Sequence, residues 1–141
     1  MDVDGGGILT MWHNQIFNYI KTVEGKGFII IIGEYKTEEG DHVVKVGVIN
    51  VHSSCLNSEK MALWEEIVRI KDTNNSLARC VVGYVNAVRY PSERQGIGQE
   101  RVNRSEMEGF NAFIDRSQLF DVPAVGGLLH GIDQTKLLEV S

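Results

Sequence analysis

Two stretches of the chain set polar side chains at the point where a buried strand gives out. In Ala78 to Gly96, the apolar run Cys80 to Val82 meets Gly83 and leads through Tyr84 and Val85 to Asn86, before Pro91 and the cluster Ser92-Glu93-Arg94. A strand ending in this way delivers side chains into a site. The second stretch, Asn50-Val51-His52-Ser53-Ser54-Cys55, closes another apolar segment. Asn86 offers an amide that donates and accepts hydrogen bonds. His52 offers an imidazole that can hydrogen-bond an oxyanion and, once protonated, stabilise negative charge. Each also has a plainer use. Asn86 can close a turn with its own side chain, and His52 can be a surface or packing residue.

Several elements are needed to bring these ends together. Gly5-Gly6-Gly7 precedes Ile8 to Trp12, which reads as a short buried strand and, as a strand needs neighbours, leaves the start of the domain looking incomplete. Residues 28–36 are rich in β-branched and aromatic types and read as a strand. A turn at Thr37 to Asp41 leads into a strand over His42 to Val51, so the pair forms a hairpin. From Asn57 or Ser58, both suitable N-caps, to about Asp72, the residues Met61, Leu63, Trp64, Ile67, Val68 and Ile70 recur at helical spacing. A strand over Ala78 to Val85 completes a β-β-β-α-β order, and the crossover helix predicts an α/β fold. Ser105 and Glu108 stand at capping-box spacing ahead of Met107, Phe110, Phe113 and Ile114, which predicts a helix to about Ser117. Leu119 to Val125 reads as a short extended piece, and Leu128 to Ser141 has no clear assignment.

The 141 residues form one domain or part of one, with no internal boundary, repeat or low-complexity segment. An apolar content of 43% and a charged content of 23% argue against intrinsic disorder. The net charge of -5 provides no overall footprint for non-specific nucleic-acid binding, although Lys and Arg cluster mildly from Arg89 to Arg104. Cys55 and Cys80 fit no metal spacing and point to a reducing compartment. The first residues lack the character of a secretory signal, and the longest apolar run, Phe28 to Ile32, is too short to cross a bilayer. The expectation is an intracellular protein, nuclear or cytoplasmic, neither secreted nor membrane-bound.

Read in order, the motifs resemble the endonuclease domain of plant LINE-type (non-LTR) retrotransposons, in the endonuclease/exonuclease/phosphatase superfamily. Gly6-Gly7-Ile8-Leu9 and Trp12 resemble G-G-I-L-x-x-W; Asn50-Val51-His52 is similar to N-V-Y-A-P; Lys60 to Trp64 is similar to K-x-x-L-W. Gly83, Asn86, Val88, Arg89, Ser92, Glu93, Arg94 and Gly96 fit G-D-F-N-E-V-R followed by S-E-R-x-G. Phe110 to Ile114, Leu119, Asp121-Val122-Pro123 and Gly126-Gly127 resemble F-N-x-F-I, then L-x-D-x-P-x-G-G. The resemblance covers nearly the whole chain. It implies a four-layer α/β sandwich, two packed β-sheets flanked by helices, whose strand ends converge on a divalent metal, Mg²⁺. It also implies a DNA partner, nicked by metal-assisted hydrolysis with an Asp-polarised nucleophile and a His-type base.

Carried over residue by residue, the resemblance implies a depleted site. The family's catalytic Asp falls on Tyr84, a phenol with a pKa of about 10 and a poor base at neutral pH. Its Asn is retained as Asn86, able to donate to a phosphate oxygen, and its Tyr falls on His52. The family's metal-binding Glu lies upstream of G-G-I-L, where this sequence starts. Glu24, Glu34, Glu38 and Glu39 match no ligand position, and neither Asp133 nor Glu139 sits where the family carries its late acidic residue. His130 has no partner in the pattern. One retained Asn without a carboxylate is a poor set for Mg²⁺, which is usually held through one or two carboxylates and several waters. The expectation is a truncated, inactive endonuclease-like domain with Asn86 and His52 as its remaining site residues. Two alternatives stand beside it: an interaction module that recruits a partner strand, or a second copy, through exposed sheet edges near Ile8 to Trp12, and a pseudogene product that does not fold stably.

Overall fold

A computed structural model describes residues 7–38, 42–73, 78–90, 104–121 and 138–140. Its elements run β1 (Phe17–Gly25), β2 (Phe28–Lys36), β3 (Val43–His52), α1 (Asn57–Thr73), β4 (Ala78–Tyr84), α2 (Arg104–Ser117), β5 (Phe120–Asp121) and β6 (Leu138–Val140). The strands form one six-stranded sheet in the order β1-β2-β3-β4-β6-β5. β2 and β3 make the expected antiparallel hairpin, and β3 pairs parallel with β4. Parallel neighbours need a crossover, and α1 supplies it.

The core lies on one face of the sheet. Phe28, Ile30 and Ile32 of β2, Ile49 and Val51 of β3, and Val81 of β4 point to that face, as strand alternation requires. Leu63, Trp64, Ile67 and Val68 of α1 and Phe110, Phe113 and Ile114 of α2 pack on them. Trp64 meets Phe110 at 5.3 Å and Phe113 at 4.7 Å between ring centroids. Lys60, the first residue of the K-x-x-L-W match, is buried on the same side of α1 and pairs with Glu106 of α2 at 3.3 Å. That match is therefore explained by helix packing. α2 ends on Gln118 in the left-handed region (φ 56), with Leu119 N–H donating to Ile114 O at 2.9 Å, and Leu119 turns back into the core.

The β-β-β-α-β order is present, but its first strand is not the expected one. Ile8 to Trp12 has no ladder partner among the described residues, and Leu9 and Met11 are exposed. The first strand is β1, which has a single buried residue, Phe17. Its composition gives no buried-strand signal, because it is an edge strand held by main-chain bonds to β2. Only Val23 reaches the core side, after a bulge between Tyr19 and Lys21. A two-residue turn, Lys26 and Gly27, joins it to β2, with Gly27 at φ 84.

The helix starts also differ from expectation. Asn57 and Ser58 lie inside the first turn of α1, since Lys60 N–H donates to Leu56 O at 3.0 Å. Ser105 lies inside α2, which begins at Arg104. β6 falls in the unassigned C-terminal stretch, and the extended piece after Leu119 is described only as β5. The sheet and both helices establish a mixed α/β fold, with one sheet among the described residues. No described helix is long and apolar enough to cross a membrane. Pro91 to Gly96, including Ser92, Glu93 and Arg94, lies outside the described residues, as do Gly5-Gly6, Glu39, Pro123, Gly126-Gly127, His130 and Asp133.

Candidate functional site at the ends of β3 and β4

The parallel pairing of β3 with β4 sets His52 directly beside Tyr84. Both project from the face opposite the helices, and their rings lie 5.6 Å apart between centroids. Just beyond this pair the two strand ends are tied together by Ser53 N–H, which donates to Tyr84 O at 2.8 Å. His52 N–H donates to Gly27 O at 2.8 Å, so the β1–β2 turn fixes the imidazole-bearing residue from the other side. Gly83 has φ 106, and a Cβ there would strike Val51 O and lie 2.6 Å from Asn50 Oδ1. Only glycine lets β4 approach β3 this closely, which gives the motif glycine a backbone role.

Asn86 sits past the end of β4 with φ 48, a left-handed conformation that Asn tolerates better than most residues. Its side chain is fully engaged. The Tyr84 hydroxyl donates to Asn86 Oδ1 at 3.2 Å, and Asn86 Nδ2 donates to Ser54 O at 3.3 Å and to Cys55 Sγ at 3.6 Å. Val85, Ala87 and Val88 are buried around it and anchor the turn. The sequence thus brings Asn86, His52 and Tyr84 to one place, and the turn-closing use of Asn86 is realised there.

Three interactions were not visible in the sequence. Asn50 Nδ2 donates to Leu9 O and Thr10 Oγ1, both at 3.1 Å, and so pins the Ile8 to Trp12 segment to the end of β3. Arg89 Nε donates to Asn111 Oδ1 at 3.0 Å, Asn111 Nδ2 returns a bond to Arg89 O at 3.0 Å, and Arg89 pairs with Asp121 at 3.2 Å. Motif residues 22 and 32 positions apart therefore hold the chain beyond Asn86 against α2 and β5. Finally, Ser54 stands at the start of α1. Its hydroxyl accepts from Leu56 N–H at 3.1 Å, and its hydrogen bond, with Lys26 nearby, holds the Glu59 carboxyl below its ordinary range.

A depressed folded pKa means that this contribution to stability is present above the ordinary carboxylate range and is lost as pH falls through the folded value. Ser54→Ala is expected to move the Glu59 pKa up toward its ordinary value. A side-chain carboxyl NMR titration of both proteins checks this, and an unchanged midpoint would show that Lys26 alone sets it. A cavity of about 520 Å³ opens beside these groups, between the β1–β2 turn and α1, with His52, Ser54 and Glu59 among its lining residues.

No protein-family model and no curated protein matches this chain. Solved structures do. An endonuclease/exonuclease/phosphatase family protein from Bacteroides thetaiotaomicron aligns over 91% of this chain and 52% of its own, with a TM-score of 0.55 at 11% identity. The fold is of the endonuclease/exonuclease/phosphatase type. A mannosyl-6-phosphatase of the same bacterium aligns over 92% of this chain and 55% of its own, with a TM-score of 0.50 at 13% identity. At such identities the likeness establishes the endonuclease/exonuclease/phosphatase fold and leaves the chemistry to the residues. The chain spans about half the length of these structures.

Mg²⁺, implied by the resemblance, does not fit the residues at these strand ends. They present an imidazole, a phenol, an amide and two serine hydroxyls, whereas Mg²⁺ is usually bound through carboxylates. Among the described residues no three His, Cys, Asp or Glu side chains gather as a metal site. Glu34, opposite Lys45, and Glu38, just beyond β2, lie toward the other end of the sheet, and Glu24 is separated from Asn50 of β3 by the intervening strand β2.

Proposed function

We propose that this chain is an endonuclease-like domain of LINE retrotransposon type whose strand-end site has lost metal-dependent phosphodiester hydrolysis. Its ancestral substrate is DNA. The observation that carries this reading is the Tyr84–Asn86 pair. The residue at the position of the family's catalytic Asp is a phenol, and its hydroxyl donates a hydrogen bond to the retained Asn86. With Asn86 Nδ2 bonded to Ser54 and Cys55, the amide is not presented to a phosphate. His52 remains exposed and able to hydrogen-bond an oxyanion. In the proposed four-layer arrangement, a second sheet packs on the face opposite α1 and α2.

A supercoiled-plasmid assay with Mg²⁺ or Mn²⁺ tests the proposal. Pure protein is expected to leave the plasmid intact. Metal-dependent nicking that Asn86→Ala abolishes would overturn the loss of activity. A second reading, an interaction module, is favoured by the Ile8 to Trp12 segment, which has no ladder partner among the described residues.

A further inference from the structure

We infer that the cavity between the β1–β2 turn and α1 binds an organic diamine, an apolar body carrying a cationic group at each end. The inference goes beyond the proposed loss of chemistry. The cavity lies on the helix side of the sheet, which a second sheet on the opposite face leaves uncovered. Its volume of about 520 Å³ falls within the range of small-molecule sites. One wall is α1, where Glu59, Ala62, Leu63 and Glu66 follow one another at helical spacing along one side. The facing wall is the turn of Lys26 and Gly27. That wall is fixed, because His52 N–H donates to Gly27 O at 2.8 Å and Gly27 holds the turn at φ 84. The site is therefore formed before a ligand arrives.

The lining selects the ligand. Phe28 and Leu63 are core residues that give the cavity an apolar floor, and the short side chain of Ala62 leaves room beside them. Glu59 and Glu66 stand two helical turns apart on α1, about 10 Å along its axis, with the apolar part between them. Glu59 is held below the ordinary carboxyl range by its Ser54 hydrogen bond and by Lys26, and Glu66 by Arg69, so both are anionic at neutral pH. Lys26 is the one lysine or arginine among the lining residues. It is 87% exposed and reaches Glu59 at 3.5 Å, a surface pair that a ligand ammonium can replace. Arg69 meets Glu66 from outside the lining. An anionic ligand would face two carboxylates against one lysine, and a neutral one would leave both carboxylates unused. Two ammonium groups joined by a hydrocarbon spacer match the order carboxylate, apolar floor, carboxylate.

Titration of the intact chain with octamethylenediamine, followed through its amide NMR signals, tests this. Saturable shifts are expected at Gly25 to Phe28 and Glu59 to Glu66, with a dissociation constant of about 1 mM or below. Octanediol, of the same length but uncharged, is expected to bind at least about tenfold more weakly. Octylamine should fall between the two. Glu66→Gln should lower the affinity for the diamine to that for octylamine, and Ala62→Phe, which fills the cavity, should abolish the shifts. Both variants should keep the parent's circular dichroism and thermal midpoint, because Glu66 is 42% exposed and Ala62 is exposed. The absence of saturable shifts at these amides overturns the inference, as does octanediol binding as tightly as the diamine. Either variant binding the diamine with the parent's affinity also overturns it. Neither substitution changes His52, Tyr84 or Asn86, so plasmid nicking reads the proposed function separately.

Discussion

Tyr84→Asp is expected to give the ends of β3 and β4 an affinity for Mn²⁺ that the parent chain lacks, of roughly millimolar strength for a single carboxylate with waters. The substitution acts twice. It replaces a phenol with a hard oxygen ligand at the position where the resemblance has its catalytic Asp. It also removes the hydroxyl that donates to Asn86 Oδ1, which leaves the amide oxygen available as a second ligand. His52, Ser53 and Asn86 are already fixed around that position by strand register and main-chain bonds. Binding therefore requires little ordering of the protein. Paramagnetic broadening by Mn²⁺ should appear at the amides of His52 to Cys55 and Asn86 in the variant and not in the parent. Broadening confined to surface carboxylates elsewhere, equal in both proteins, would sink the carry-over of the Asp position to Tyr84. Recovery of plasmid nicking is a separate and stricter outcome, since one carboxylate is fewer than such hydrolysis normally uses.

The largest expected effect on stability comes from Phe110→Ala. Phe110 is 0% exposed and lies between Trp64 of α1 and its own helix neighbour Phe113, in the seam where α2 meets α1. Truncation removes a buried ring from a site that cannot collapse easily, because Trp64 and Phe113 are stacked on each other. A loss of about 3–5 kcal/mol is expected, a large fraction of the roughly 5–15 kcal/mol typical of a domain. Urea unfolding followed by circular dichroism measures it, with Phe110→Leu as a milder companion. A loss below about 1 kcal/mol would mean that α2 does not dock on α1 through this ring. Cooperative unfolding of the parent in the same experiment would eliminate the view that the chain cannot fold stably.

Much of the fold was legible because its signals are local. The β-branched run Phe28 to Ile32 gave β2, and the helical spacing of Leu63, Trp64, Ile67 and Val68 gave α1. Phe110, Phe113 and Ile114 likewise gave α2. β1 was missed because its exposed side chains carry no periodic burial, and its place is set by β2. Ile8 to Trp12 carries the apolar signal of a buried strand, but burial also needs a neighbour to pair with. Among the described residues it has no ladder partner, and it is held by the side chain of Asn50 and the ring contacts of Trp12.

For the site, the sequence by itself determined which groups are available: Gly83 for a close approach, Asn86 and His52 as polar side chains at strand ends, and a phenol instead of a carboxylate at Tyr84. The tertiary structure decided how they are used. It set Tyr84 beside His52 through parallel register, consumed both ends of the Asn86 amide, and joined Arg89 to Asn111 and Asp121. Propensity and periodicity act over windows of about ten to twenty residues, and such windows identify strands and helices. Apart from the local Tyr84–Asn86 bond, the choice of a hydrogen-bond partner falls between groups 22 to 41 residues apart here, and it follows only once the order of the strands, their register and the docking of α2 are fixed.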